Sequence, residues 1–311
     1  MVTLSTAAAA GLALGTLADA ALGDPRRFHP VAGFGQLAGR LERVTYADRR
    51  LPGVVHLAVL AGATAVVGVG AERVTRDPVA RLIVTATATW TVLGGRSLQR
   101  EATTIAGQLT RGELDAARLQ VRNLVGRETA GLSADEVARA TIESVAENTS
   151  DAVVAPLLWG AVAGVPGLLV YRAVNTLDAM VGHRSPRYRH FGWASARLDD
   201  GLNWVPARAA GLAAAVAAPL VDGSPVAAAR TVRRDAAQHP SPNAGVVESA
   251  FAGALGVRLG GANVYHGAVE DRGVLGDGRS VAVPDIARAN RLAVLTSAAA
   301  LLVAVVVRGL R

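Results

Sequence analysis

The sequence predicts an all-α fold: a polytopic integral membrane helical bundle with helical segments on its cytoplasmic side. Three observations lead there. Of 311 residues, 51% are hydrophobic, and the mean hydropathy is +0.31. Aromatics are only 4% and glycines number 34, so Ala, Val and Leu supply the bulk; this is too apolar and glycine-rich for an ordinary soluble domain. Six apolar stretches can span or enter a bilayer, at 3–22, 53–71, 79–95, 152–171, 205–221 and 292–308, judged against the ~20 residues a span needs. With no internal repeat and no separable soluble part, residues 1–311 read as one membrane-embedded domain with about five membrane-associated helices, expected in the bacterial plasma membrane as a multi-pass protein.

Composition excludes several chemistries. The chain has no Cys, so it holds no disulfide, thiolate metal site or Cys nucleophile. It has no Lys either: all 32 basic residues are Arg, which rules out Schiff-base chemistry and a P-loop lysine. The net charge is +7 and the pI about 10.9. A nucleic-acid partner is not expected from so apolar and aromatic-poor a chain; Arg-rich loops at 24–52, 96–150 and 172–204 fit the positive-inside rule better.

Taken in order, 3–22 ends in Ala18-Asp19-Ala20, loosely like a leader-cleavage site, but it lacks a basic n-region and reads as a retained helix. Gly23-Asp24-Pro25 through His29-Pro30 follows as a rigid loop, either an ordinary turn or the place of a histidine base. Residues 97–124 carry apolar positions at helical spacing, ending near Gly126. Ser133 to Glu136 reads as a capping box opening a helix from about 134 into the 150s. Segment 152–171 is interrupted by Pro156 and by Gly164-Val165-Pro166-Gly167, so a re-entrant hairpin or two short helices are expected there. A loop from Gln238 to Gly245 precedes a Gly-rich helix, 247–259, whose neighbourhood (Gly253, Gly256, Gly260, Gly261) suggests close helix packing more than a phosphate cradle.

Chemistry concentrates at 139–208. Glu143, Glu147 and Asp151 fall at i, i+4 and i+8 on one predicted helix face. Like charges so spaced destabilise a helix by about 0.2–0.5 kcal/mol per pair, which a divalent cation with oxygen ligands would offset; the plain alternative is a solvated acidic face with Arg139 partly neutralising Glu143. Asn175 and Asp178 form an i, i+3 pair in an apolar run, either a polar clamp between helices or part of a site. Asp199-Asp200 follow Arg197 and precede Asn203; they suit Mg²⁺, an arginine, or the first turn of a helix. Arg184, Arg187, Arg189 and Arg197, with His183 and His190, form a cationic segment that suits phosphate forks or a membrane anchor.

Read together, these motifs resemble a known family. Glu143-Ser-Val-Ala-Glu-Asn-Thr-Ser-Asp151, Asn175-Thr-Leu-Asp178, Phe191-Gly-Trp-Ala-Ser-Ala-Arg-Leu-Asp-Asp200 and His239-Pro-Ser-Pro-Asn-Ala-Gly245, with Gly23-Asp-Pro in front, are similar to the membrane cobalamin biosynthesis proteins of the CobD/CbiB family. The likeness is clearest over residues 20–265; Val246-Val247 before Glu248 departs from the Trp-Pro expected there. The resemblance implies an adenosylcobinamide-phosphate synthase. Such a protein joins (R)-1-aminopropan-2-ol, or its O-phosphate, to the f-propionate carboxylate of adenosylcobyric acid in coenzyme B12 synthesis, as an ATP-dependent acid–amine ligase.

On that reading Glu143, Glu147, Asp151 and Asp178 are expected at Mg²⁺. Asn148, Asn175, Ser195, Arg184, Arg187 and Arg197 are expected on the ATP cosubstrate or the aminopropanol phosphate. His29, Asp199 and Asp200 are the candidate bases. The expected partners are the corrinoid, the amino alcohol, the lipid bilayer and other late membrane enzymes of the pathway. A membrane transporter using intramembrane carboxylates is the alternative; a prenyltransferase or a structural scaffold explains the motifs less well.

Overall fold

The computed structural model describes residues 3–25, 29–183, 185–265 and 268–311. Twelve α-helices and one short hairpin are seen among them: α1 Leu4–Leu22, α2 Pro30–Thr45, α3 Arg50–Val74, α4 Pro78–Val92, α5 Gly95–Thr110, α6 Leu114–Gln120, α7 Ala134–Thr149, α8 Ala155–Val181, α9 Trp193–Ala217, α10 Pro225–Asp235, α11 Ala244–Leu255, β1 Leu259–Tyr265, β2 Ala268–Leu275 and α12 Asp285–Gly309. Five helical stretches are long and apolar enough to cross a membrane: Leu4–Leu22, Arg50–Val74, Ala134–Val181, Trp193–Val221 and Asp285–Gly309. The protein is an all-α polytopic membrane protein with one small antiparallel β-hairpin. The expected segment 79–95 is the 15-residue α4, which at 1.5 Å per residue reaches only about 22 Å and falls short of a span.

Two compact units make up the chain. The first comprises Met1–Gly94, Asp151–Asn203 and Leu301–Arg311. Small residues let its helices approach closely: Gly11 and Gly15 of α1 lie against Thr85 and Thr89 of α4, and Gly68 of α3 lies against Pro166 of α8. Its core includes Ala38, Leu57, Leu60, Val174, Leu177 and Ala194. Within α8 the backbone breaks at Gly164 (φ 65°, ψ −147°). On a continuous helix, residues eight apart lie about 12 Å from each other, yet Gly160 packs against Leu168 and Gly167 against the Trp159 carbonyl. The chain therefore folds back on itself at Gly164, so the segment is two short helices and not one straight span. Glu72 holds the bend: Val165 N–H donates to its Oε1 at 3.0 Å, while Arg81 and Arg308 approach the same oxygen at 3.4 and 3.5 Å.

The second unit comprises Gly95–Ser150 and Trp204–Ala300. Ser133 and Glu136 form the expected reciprocal capping box on α7. The helical pattern over 97–124 is two helices and a 3₁₀ turn rather than one helix, with Gly112 (φ 77°) between α5 and α6. The Gly-rich helix stops at Leu255, earlier than 259, because Gly256 takes the left-handed conformation (φ 68°) that caps a helix. The hairpin that follows was not expected. Gly260 and Gly261 (φ 76° and 88°) form the bulge that ends at Ala262, a use of glycine that periodicity does not reveal.

Candidate functional site

Both units carry buried polar groups. In the first unit the second half of α8 presents Tyr171, Arg172, Asn175 and Asp178, and the first turns of α9 present Ser195, Asp199 and Asn203 at i, i+4 and i+8. Asp199 is 8% exposed. One carboxylate oxygen accepts from Asn175 Nδ2 at 3.3 Å and the other from Asn203 Nδ2 at 3.0 Å. The Tyr171 hydroxyl lies 2.8 Å from Asn203 Oδ1 and 3.1 Å from the Asp151 carbonyl oxygen. A carboxylate offers about four acceptor positions, so two fixed carboxamides orient Asp199 and leave it room to accept a proton or a cation. Asp178 and Asp200 are its acidic neighbours. Ser195 is buried. Asp200 is half-buried and lies 3.9 Å from the exposed Arg197.

In the cationic segment, Arg187 is engaged within the protein. Arg187 Nη2 donates to Glu42 at 3.1 Å, and its guanidinium lies 4.3 and 5.4 Å from the Tyr46 and Tyr188 ring centres. It clamps α2 to the loop after α8 and is not a free phosphate fork. Arg184 lies outside the described residues. His29 caps α2: its Nδ1 accepts from Val31 N–H at 3.2 Å, and Nε2 is 3.8 Å from Asp24. As positioned, His29 serves as the cap of α2.

In the second unit Glu143 is 5% exposed and its oxygens are engaged. Oε2 accepts from Arg127 at 2.7 Å, Oε1 accepts from Gly260 N–H at 2.8 Å, and Arg139 Nη1 is 3.5 Å from Oε1. Arg127 also donates to Asn263. Glu143 thus ties α7 to the hairpin, a structural use that spacing alone does not disclose. Asn148 turns back to Ser144, donating to its carbonyl at 2.9 Å. Glu147 is half-buried, with Glu143, Arg127 and Arg272 as charged neighbours. The turn after it, Ser150–Val154, is π-helical, so regular i, i+4 spacing stops short of Asp151.

The second unit also holds a couple that the residue spacing did not single out. Glu248 on α11 and His239 in the preceding loop are 1% and 6% exposed, with His239 Nε2 3.6 Å from Glu248 Oε1. Ser241 N–H donates to His239 Nδ1 at 3.0 Å, which directs the ring proton toward Glu248. Both oxygens of Glu248 lack a hydrogen bond. Burial, then the charges of Glu143 and Glu147, push the Glu248 carboxyl well above the usual range; burial and then Arg272 push the His239 imidazole down.

The expected metal carboxylates are divided between the units: Glu143 and Glu147 belong to the second, Asp151 and Asp178 to the first. Among the described residues no three His, Asp or Glu side chains are gathered as a metal cage. The donor chemistry still fits a magnesium ion brought with nucleotide phosphates, which takes one or two carboxylates and completes its shell with water and phosphate oxygens.

Comparison with known proteins agrees with the motifs. The family model described as CobD/Cbib protein matches residues 12–293. A "Cobalamin biosynthesis protein CobD" from Mycobacterium tuberculosis is 52% identical over 299 residues, covering 96% of this chain and 95% of that protein. The protein of the same name from Geobacter metallireducens is 47% identical over 278 residues, covering 88% and 87%, and that from Chromobacterium violaceum is 42% identical over 309 residues, covering 94% and 96%. No solved structure matches. By the extent of the family match and the identity of these relatives, the chain belongs to the CobD/CbiB family.

Proposed function

We propose that this protein acts in cobalamin biosynthesis as an ATP-dependent ligase. Its reaction joins (R)-1-aminopropan-2-ol, or its O-phosphate, to the f-propionate carboxylate of adenosylcobyric acid and gives adenosylcobinamide or its phosphate. Family membership supports the pathway. The observation that carries the chemistry is the buried Asp199, fixed through both oxygens by Asn175 and Asn203.

An amide does not form from a free carboxylate and an ammonium ion without activation. The γ-phosphoryl of ATP passes to a propionate oxygen and ADP leaves. The amine then attacks the acyl carbon, phosphate departs, and the amine's proton goes to a base. Asp199 is that base: it is buried, acceptor-only when ionised, and held by donors that do not compete for its remaining lone pairs. Asn175 and Asn203 are positioning residues for it. Asp151 and Asp178, both of the first unit, are the carboxylates that would hold Mg²⁺, Glu143 being engaged by Arg127 and Gly260. When bound, the metal neutralises charge on the transferring phosphoryl group.

Incubating the purified protein with adenosylcobyric acid, ATP, Mg²⁺ and each amine separately tests the reading by product mass. A new amide that depends on ATP and is lost with EDTA is expected; no condensation product with either amine would reject the ligase. The broken helix at Gly164 is the feature shared with transporters. Corrinoid flux into proteoliposomes without amide formation would favour that second reading.

A further inference from the structure

Arg40 and Arg43 stand on the exposed strip of α2 and make no hydrogen bond or ion pair among the described residues. With Gln36 and Gly39, and with Arg187 and Tyr188 of the loop after α8, they line an open groove in the first unit. The one carboxylate among its lining residues, Glu42, is already met by Arg187 at 3.1 Å and by the Tyr188 hydroxyl at 2.9 Å. The groove therefore keeps two unspent guanidinium forks and no uncompensated acid. Such forks match the oxygens of a phosphate group.

Two features identify what carries that phosphate. The first is the apolar flank. Leu37 and Val44 are 56% and 83% exposed, and they sit three residues before and four after Arg40, on the same face of α2. A soluble anion offers these side chains no apolar contact; an acyl chain does, and basic and apolar residues side by side mark a helix that meets lipid. The second is the place of the groove. α2 ends at Thr45 and α3 starts at Arg50, while α8 ends at Val181 and α9 starts at Trp193; α3, α8 and α9 all belong to stretches able to cross a membrane. The Tyr46 hydroxyl donates to the Arg187 carbonyl at 2.9 Å, and His190 lies 3.0 Å from Asp48, which ties these helix ends together. Arg50 lies 4.9 Å over the Trp193 ring, and arginine with tryptophan is the composition of the headgroup level.

We propose that this groove holds the headgroup of an anionic glycerophospholipid, with Arg40 and Arg43 on its phosphate oxygens and Leu37 and Val44 against its acyl chains. A zwitterionic lipid would bring a cationic group among arginines, so the anionic class is preferred. A lipid held there braces the C-terminal end of α2 against the loop after α8. Lipid retention is read without turnover, so this assignment stands or falls apart from the ligase reading.

The test uses the full chain purified in a nonionic detergent, with phosphatidylglycerol or phosphatidylcholine added at equal concentration and bound lipid counted by native mass spectrometry. Wild type is expected to retain phosphatidylglycerol about tenfold more than phosphatidylcholine. Arg40→Gln with Arg43→Gln erases that preference. Arg40→Lys with Arg43→Lys keeps part of it, because the charges remain while the forks are lost. Arg100→Gln, which removes an exposed charge from α5, leaves it unchanged. Leu37→Ser with Val44→Ser weakens lipid retention while both arginines stay in place. Circular dichroism at wild-type helical content shows that each variant is folded. Equal retention of the two lipids by wild type, or undiminished phosphatidylglycerol on the double glutamine variant, overturns the assignment. Displacement of phosphatidylglycerol by millimolar ATP or glycerol phosphate overturns it too, since the groove then belongs to a soluble phosphate.

Discussion

Buried charges here fall into two kinds, told apart by what satisfies them. Glu143 and Arg127 neutralise each other deep in the second unit, with Gly260 N–H completing the carboxylate. Removing one partner of such a pair leaves an uncompensated charge and costs about 3–5 kcal/mol. Arg127→Ala is therefore expected to lower unfolding stability in detergent by that order, measured by denaturant titration; an unchanged midpoint would show that Glu143 finds another partner. Glu248 is the opposite kind, buried with neither oxygen hydrogen-bonded. Its folded carboxyl holds its proton to higher pH than the unfolded one. Stability linked to it is thus present at acid pH and declines as pH rises from the ordinary carboxylate range toward the raised folded value. Glu248→Gln, which stays neutral, is expected to melt above wild type at pH 8, with the gain shrinking toward pH 5. A pH-independent difference would contradict this sign.

At the scale of elements, the bend in α8 depends on one glycine and one carboxylate. Gly164 has positive φ, and a Cβ there would run into the Glu72 carboxylate. Gly164→Ala is expected to lower the melting temperature and expose the hairpin to proteolysis, more than Gly62→Ala in α3, where a Cβ meets open space; equal effects would argue against a strained bend. The break itself was legible, because Pro and Gly punctuate 164–167 and act locally. The capping box on α7 was legible for the same reason. The β-hairpin was not: its glycines serve a bulge, and short Gly-rich strands carry little periodicity. Nor was the use of Glu143, whose partners Arg127 and Gly260 are 16 and 117 residues away in sequence.

For the whole molecule, charge placement sets the membrane expectation. By the positive-inside rule the Arg-rich stretches 24–52, 96–150 and 172–204 are expected in the cytoplasm, which a simple alternating count allows only if the fold-back at Gly164 does not cross the bilayer. The chain has no Cys, so single cysteines report sidedness without background. Asp48→Cys, Asp115→Cys and Arg189→Cys, at exposed positions, are expected to react with an impermeant maleimide only in inside-out vesicles; labelling of any of them in right-side-out vesicles would reject this topology.

The most direct measurement compares wild type with Asp199→Asn under identical single-turnover conditions, with adenosylcobyric acid, ATP, Mg²⁺ and the amino-alcohol phosphate, read by product mass. If Asp199 takes the proton, the variant inserts with wild-type helical content and forms amide slower by about 10²–10⁴-fold, the span of general-base contributions. Amide formed by Asp199→Asn at the wild-type rate would contradict the role given to the α8–α9 cluster.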